Sequence, residues 1–459
     1  MTSPPSSAPT PLWLRWHGLL AVVVVAAALR LATLGRWSLW IDEAFTLHDA
    51  YDVVPSYPFG YVTTRWMVAA FGDGEFALRL LPCLFGIATV TILGLPGTDL
   101  RTTARFRLAA LLLALSSWHV FWSQSARYYA ALVFFVVVAA RAVPRSTRGP
   151  RGERIARWTT ALAACALAVA CHPTAAYFAP GAILCAWPAL RPRARLGLVG
   201  IGVIGIAAAV YRYGYLVPIH ARYKGEGSPL QLITSYGFQA GPALLAAAAL
   251  GLRRRDRRHQ GGDPERAEDM RLELCFGLLP GLLFLAGSFA LFTTGYHAIA
   301  TLPFLMLLAA RGALSSVGRT RVLLVGVLIA EQCVGLALYH TSNGMRPRHR
   351  EAATAVRADP DAAVFATREA PLAYYLSPDR RVLRDAPEAR LLMGTVVDEL
   401  VEIAARPGVL WIVIHPDDLL HLPVETLQRF EALVAGRLAL ELPQNFGPKE
   451  LSLRLYRLD

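Results

Sequence analysis

Lysine is nearly missing from this chain. Of its 46 basic residues only Lys224 and Lys449 are lysines, and the rest are arginine. Charge in general is sparse: 17% of the 459 residues are charged and 55% are hydrophobic. That balance excludes a large soluble enzyme and a disordered chain, and describes a polytopic membrane protein with some soluble mass. Cysteine is sparse too. The six at 83, 165, 171, 185, 275 and 333 fall in or beside apolar segments. Without metal-ligand spacing or a disulfide framework, they read as small apolar packers. The long apolar stretches also lack internal charge, with Glu331 and Gln332 in the last of them as the main exception. An ion-coupled transporter usually needs buried charges along its path, so their scarcity argues against one.

The net charge of +13 does not mark a nucleic-acid binder. Residues 1–340 carry 31 basic against 16 acidic groups, whereas residues 341–459 carry 15 against 17. The excess lies in the membrane part, in clusters between apolar stretches: Arg101/Arg105/Arg107, Arg141 to Arg157, Arg191/Arg193/Arg195, Arg253 to Arg258 and Arg311/Arg319/Arg321. The positive-inside rule places these, with Arg15, in the cytoplasm, so an even number of crossings joins each neighbouring pair. The apolar residues between Arg107 and Arg141 then form two short helices turning near Ser125-Ala-Arg127. Those between Arg157 and Arg191 form two more, turning at His172-Pro173, where proline resists continuing a helix.

The predicted fold is a polytopic α-helical membrane protein of about 11 transmembrane helices with a C-terminal soluble α/β domain. The expected spans are 18–34, 78–96, 107–123, 127–141, 157–171, 174–189, 196–216, 237–252, 272–292, 298–311 and 321–338. Residues 1–17 form a cytoplasmic N-terminal tail, 18–340 the transmembrane domain with a first outer loop at 35–77, and 341–459 an extracytoplasmic domain. The first span also has the short, Ala-rich character of a signal peptide, and the 35–77 loop is outside on either reading. In the tail, 362–366, 408–415 and 451–458 have strand character, and 388–405 and 424–438 helical periodicity. Gly200-Ile-Gly-Val-Ile-Gly205 matches a dinucleotide-binding pattern but lies inside a span, where close helix packing explains it.

This topology gathers polar residues on the outer face. Asp42 and Glu43 are adjacent carboxylates just past the first span, among Trp37, Trp40 and apolar neighbours. Partial desolvation there is expected to raise a carboxylate's pKa toward values useful for proton transfer. The plainer reading is capping, with Asp42 as N-cap and Glu43 in the first turn of a helix. Arg65, Arg79, Arg127-Tyr128, His172, Arg222-Tyr223-Lys224 and His297 fall at outer loops or turns. Singly, each has a structural reading as a snorkelling arginine, a cap or a solvated loop residue. Together they suit an enzyme of lipid-linked phosphates, with cations for the phosphate and a carboxylate for an acceptor's proton. No metal is required. Asp42, Glu43, His48, Asp49 and Asp52 lie close in sequence as carriers for an optional divalent cation, at irregular spacing.

The chain resembles the GT-C glycosyltransferases of the protein O-mannosyltransferase and aminoarabinose transferase type. Leu29-Arg30-Leu31 with Leu39-Trp-Ile-Asp42-Glu43-Ala44 is similar to the first span and acidic outer loop of that family. Gly74-Glu-Phe-Ala-Leu-Arg79-Leu-Leu-Pro82-Cys-Leu-Phe-Gly86 is similar to its arginine-and-proline signature. Phe121-Trp-Ser-Gln-Ser-Ala-Arg127-Tyr128 and Tyr296-His297 with Leu302-Pro303 resemble later elements. The family's His-Pro-Pro element is reduced here to Tyr57-Pro58, and its late arginine is replaced by Tyr296.

The resemblance implies an inverting transferase in a bacterial-type plasma membrane. It would move a sugar from a polyprenyl-phosphate donor to a hydroxyl acceptor on protein, lipid or envelope glycan. Asp42 would be the general base, and Glu43 would orient the acceptor or tune Asp42. Arg79, Arg127, Tyr128, His172, Arg222, Lys224 and His297 would hold donor phosphate and substrate. A lipid-linked sugar flippase would use the same cations without the Asp42 carboxylate, and a non-catalytic scaffold would depend instead on residues 341–459.

Overall fold

The computed structural model describes residues 12–51, 57–96, 100–143, 150–187, 190, 192–215, 227–253, 270–376, 400–402, 404–405, 407–420, 422–446 and 449–459. Arg222 and Lys224 lie outside them, as does most of the helix expected at 388–405. The chain divides into two compact units: residues 1–32, 82–123 and 128–335 form one, and 33–81, 124–127 and 336–459 the other.

The first unit is helical and apolar. Among the described residues, five helices are long and apolar enough to cross a bilayer, or six if one bent pair counts as a span. The chain is an integral membrane protein. Further apolar helices, among them Tyr129–Ala142 and Pro242–Arg253, run 10–17 residues. The expectation of about 11 crossings needs these shorter helices as well.

Two polar devices shape the unit. Leu100–Leu115 and Ser117–Ser123 form the bent pair, turned by 66°. A bend leaves the last carbonyls of the first helix without intrahelical donors. Arg30 supplies them: it donates to the Ala114 and Leu113 carbonyls at 3.1 and 3.2 Å, and to the Ala26 carbonyl at 3.1 Å. Its remaining N–H groups reach Ser123 Oγ at 3.2 Å and His119 Nδ1 at 2.7 Å. Arginine only donates, so His119 is protonated on Nε2.

Glu331 is the second device. It accepts from Ala243 N at 2.7 Å and Leu244 N at 2.9 Å, capping the helix Pro242–Arg253 from another helix. That use of the carboxylate needs no transport role. Pro242–Arg253 and Leu302–Leu314 then approach backbone to backbone: a Cβ on Gly251 would meet the Leu308 carbonyl oxygen at 2.2 Å, and one on Gly312 the Ala247 oxygen at 2.1 Å. Small residues permit such contacts in a bilayer, where packing rather than hydrophobicity joins helices.

The second unit has a mixed sheet in the order β1-β2-β6-β3, with β1 Ala363–Ala366, β2 Leu410–Ile414, β3 Leu438–Leu442 and β6 Leu453–Leu458, while the short β4 Asn445–Phe446 and β5 Lys449–Glu450 pair separately. Strands β1 and β2 are parallel, and β6 runs antiparallel to β2 and β3. All five residues of β2 are buried, as a central strand covered on both faces requires. Helix Val424–Val434 stops four residues short of the expected end, and Leu438 instead opens the half-exposed edge strand β3. The unit also takes in residues 33–81, so the C-terminal sheet does not stand alone. The expected outer loop holds two helices of its own, Ile41–Asp49 and Pro58–Phe71.

Replacing Glu331 by alanine strips two N–H groups of their acceptor. The expected cost is about 1 kcal/mol, read as a lowered melting temperature of the detergent-solubilised protein. An unchanged melting temperature would show that the cap is dispensable.

Candidate functional site

Asp42 and Glu43 occupy the first turn of helix Ile41–Asp49, whose N-cap is Trp40. Their environments diverge completely. Glu43 is fully buried. Its Oε1 accepts from Arg79 Nε at 2.7 Å and from Ala126 N at 2.8 Å. Its Oε2 accepts from Arg79 Nη2 at 2.7 Å, Trp40 N at 3.2 Å and Arg346 Nε at 3.3 Å. A buried carboxylate is tolerable only when paired and hydrogen-bonded in this way. Burial alone would raise its pKa, but Arg79 and Arg346 outweigh burial and hold the carboxyl at about 2. The expected upward shift is therefore reversed at Glu43.

The two arginines are equally committed. Arg79 also donates to the carbonyls of Trp37 at 2.8 Å, Ser38 at 2.9 Å and Leu34 at 3.3 Å. Arg346 donates to Gly344 O and Gln124 O at 2.8 Å, Ser125 Oγ at 2.7 Å and Tyr339 Oη at 3.2 Å. Both are buried, and all five N–H groups of each find acceptors within the unit. Arg79, expected on the donor phosphate, thus has no N–H left for one. Around this centre, Glu75 pairs with Arg350 at 2.5 Å and accepts from Tyr375 Oη at 2.9 Å. Tyr375 Oη in turn accepts from Leu39 N at 2.7 Å.

Asp42 is the contrast. It is half-buried, and among the described residues its carboxylate has no hydrogen-bond or ion-pair partner. Arg127 lies beside it, with Nη1 on the Asp42 carbonyl at 3.2 Å and on Thr46 Oγ1 at 2.8 Å. A cation and an uncommitted carboxylate therefore share the start of one helix. Asp49, one of the expected metal carriers, accepts from Tyr61 Oη at 3.1 Å, and Asp52 lies outside the described residues. Among the described residues no three His, Cys, Asp or Glu side chains come together as a metal site.

The first unit gathers the other expected residues into an aromatic cluster. Tyr128 stacks on His172 at a centroid distance of 5.2 Å. Tyr129 lies 5.3 Å from His172 and 4.4 Å from Trp122. His297 lies 6.0 Å from His172 and 4.2 Å from Tyr296. Tyr296, which stands where the resembled family often has arginine, is thus one wall of this cluster.

Arg346 escaped the sequence reading. One signal was available: Arg346, Arg348 and Arg350 directly follow the last apolar span, on the side where the predicted topology expects few cations.

The fold is shared with ArnT, in line with the resemblance read from the sequence. Two solved structures make the comparison concrete. ArnT from Cupriavidus metallidurans in the apo state superposes with a TM-score of 0.56 at 11% identity, over 98% of this chain and 99% of that one. The same protein bound to undecaprenyl phosphate gives 0.55 at 12% identity, over 97% and 98%. At these identities the likeness is one of fold. No family model matches the chain, and no curated protein matches it in sequence.

Replacing Arg346 by alanine leaves Glu43 buried beside one cation instead of two. Breaking a buried pair costs about 3–5 kcal/mol, so this variant is expected to melt well below the wild type, with lysine restoring part of the loss. Acid should act on the same unit. Buried His349 is held neutral, at about 3 against an ordinary 6.5, by burial and then by Arg368, and burial likewise lowers His415. A depressed folded pKa confers stability above the unfolded value and loses it as pH falls. The histidine contribution therefore fades from about pH 6.5 downward, and the Glu43 contribution between about 4.5 and 2. Melting temperature against pH should decline in those two windows, and the double variant His349→Phe/His415→Phe should lose the upper one.

Proposed function

We propose that this protein transfers a sugar from a polyprenyl-phosphate donor to a hydroxyl acceptor on the outer face of the membrane, with inversion. The observation that carries the reading is the division between the two carboxylates. Glu43 is locked in place, while Asp42 is open beside Arg127. Asp42 acts as general base. It takes the acceptor's proton as the acceptor oxygen attacks the anomeric carbon, and the bond to the phosphate oxygen breaks on the opposite side. The leaving group departs as polyprenyl phosphate. It needs charge stabilisation rather than a strong acid, and Arg127 supplies it, with Arg222 and Lys224 as further cations. Tyr128, His172 and His297 contribute to donor binding. Direct displacement of this kind requires no metal. The fold shared with ArnT bound to undecaprenyl phosphate supports a polyprenyl-phosphate lipid as partner.

Replacing Asp42 by asparagine removes the base and little else. Sugar transfer in liposomes, with a panel of polyprenyl-phosphate sugars and envelope extract as acceptor, should fall by a factor on the order of 10²–10⁴ while the melting temperature holds. Wild-type turnover by the variant would overturn the assignment. Lipid-linked sugar crossing the bilayer equally in both proteins, without transfer, would make the protein a flippase.

A further inference from the structure

Helix Pro58–Phe71 exposes an apolar face to its surroundings. Val62 and Trp66 are 36% and 68% exposed, Ala69 and Ala70 are exposed, and Phe71 is 64% exposed. Spacings of four and three residues put Val62, Trp66 and Ala69 on one side of the helix. Gly60, Tyr61 and Val68 are buried. An apolar face on an exposed helix is costly in water and expected at a lipid interface, where tryptophan settles at headgroup depth. The chain supplies the anchor: only Gly72-Asp73-Gly74 separates this helix from the apolar span Glu75–Gly94.

Beside that face is a cavity of about 530 Å³, lined by Tyr51, Arg65, Val68, Ala69, Gly72 and Asp73. Arg65, Val68, Ala69 and Gly72 form one stripe of the helix, at i, i+3, i+4 and i+7. Gly72 ends the helix at φ +81°, a conformation other residues resist, and this brings Asp73 to the cavity wall. The cavity is bipolar. The Arg65 guanidinium, held through Nε on the Ala50 carbonyl, lines it near Tyr51, and its charge lies 5.9 Å from the Tyr51 ring centroid. Asp73 lines it with a half-buried carboxylate that, among the described residues, has no hydrogen-bond or ion-pair partner. Val68 and Ala69 supply apolar wall between them.

We propose that this cavity seats the headgroup of a zwitterionic bilayer phospholipid. The phosphodiester lies against Arg65 and the Tyr51 hydroxyl, a primary ammonium against Asp73, and the acyl chains run over Val62 and Trp66. A purely anionic headgroup would leave Asp73 uncompensated and facing like charge. The ligand is a resident lipid of the bilayer, distinct in chemistry from a sugar donor, and its binding is read without any transfer reaction.

The test uses the full-length protein in phosphatidylcholine liposomes doped with a photoactivatable phosphatidylethanolamine, with the labelled peptide located by mass spectrometry. Label is expected within residues 57–76. Unlabelled phosphatidylethanolamine should compete about tenfold better than phosphatidylglycerol. Asp73→Asn should erase that preference with the melting temperature unchanged, and Arg65→Gln should weaken labelling whichever lipid competes. Labelling indifferent to headgroup in the wild type, a stronger hold on phosphatidylglycerol, or a preference that survives Asp73→Asn would each overturn the proposal.

Discussion

One buried carboxylate organises the second unit. Taking Glu43 out of water is affordable only because two guanidinium groups and two backbone N–H groups meet it. Those donors come from four separate places in the chain: the start of its own helix, the head of a membrane span at Arg79, the turn at Ala126, and Arg346 beyond the last span. Each arginine then spends its remaining donors on carbonyls and hydroxyls of the same segments. The positions of Trp37, Ser38, Gln124, Ser125 and Gly344 therefore follow from the need to satisfy one charge cluster. A unit built this way has few intermediate arrangements, because a half-satisfied buried charge is worse than none.

The arrangement also explains how two adjacent, chemically similar residues come to differ. On a helix, neighbouring positions point about 100° apart. With Glu43 drawn inward by its arginines, the Asp42 side chain is turned away from them, half-buried and, among the described residues, with its carboxylate unpartnered. Rigidity at one position thus aims the other. A catalytic carboxylate gains from being held by its backbone rather than by its own side-chain bonds, since its oxygens stay open for a substrate proton. Arg127 contributes in the same way, gripping the Asp42 carbonyl rather than the carboxylate.

Much of this was legible in the sequence, and the failures have physical causes. The parity of the arginine clusters located the turn near Ser125-Ala-Arg127, where the structure breaks between helices Ser117–Ser123 and Tyr129–Ala142. The three segments read as strands correspond to β1, β2 and β6, within about two residues at each end. Edge strand β3 was missed because the helical reading of 424–438 ran into its first residue. A helix at Asp42-Glu43 was the plainer reading of that pair, but helix Pro58–Phe71 was missed because the segment was read for its charges, although Val62, Trp66 and Ala69 already carried helical spacing. At the site, Asp42 and Glu43 were legible as a pair but not as unlike members of it. What separates them is Arg346, and no local pattern announces a partner 303 positions away.

That separation has a consequence for biosynthesis. Glu43 leaves the ribosome long before Arg346, and at about 5–20 residues per second the interval is of the order of tens of seconds. Throughout it the nascent chain holds a carboxylate destined for the interior with at most half of its final counter-charge. The first loop cannot close into its finished form until the last membrane span has been made. A chain that stops early, or whose later spans insert wrongly, keeps Glu43 solvated and Asp42 unaimed. Completion of the protein and closure of this unit are thus the same event.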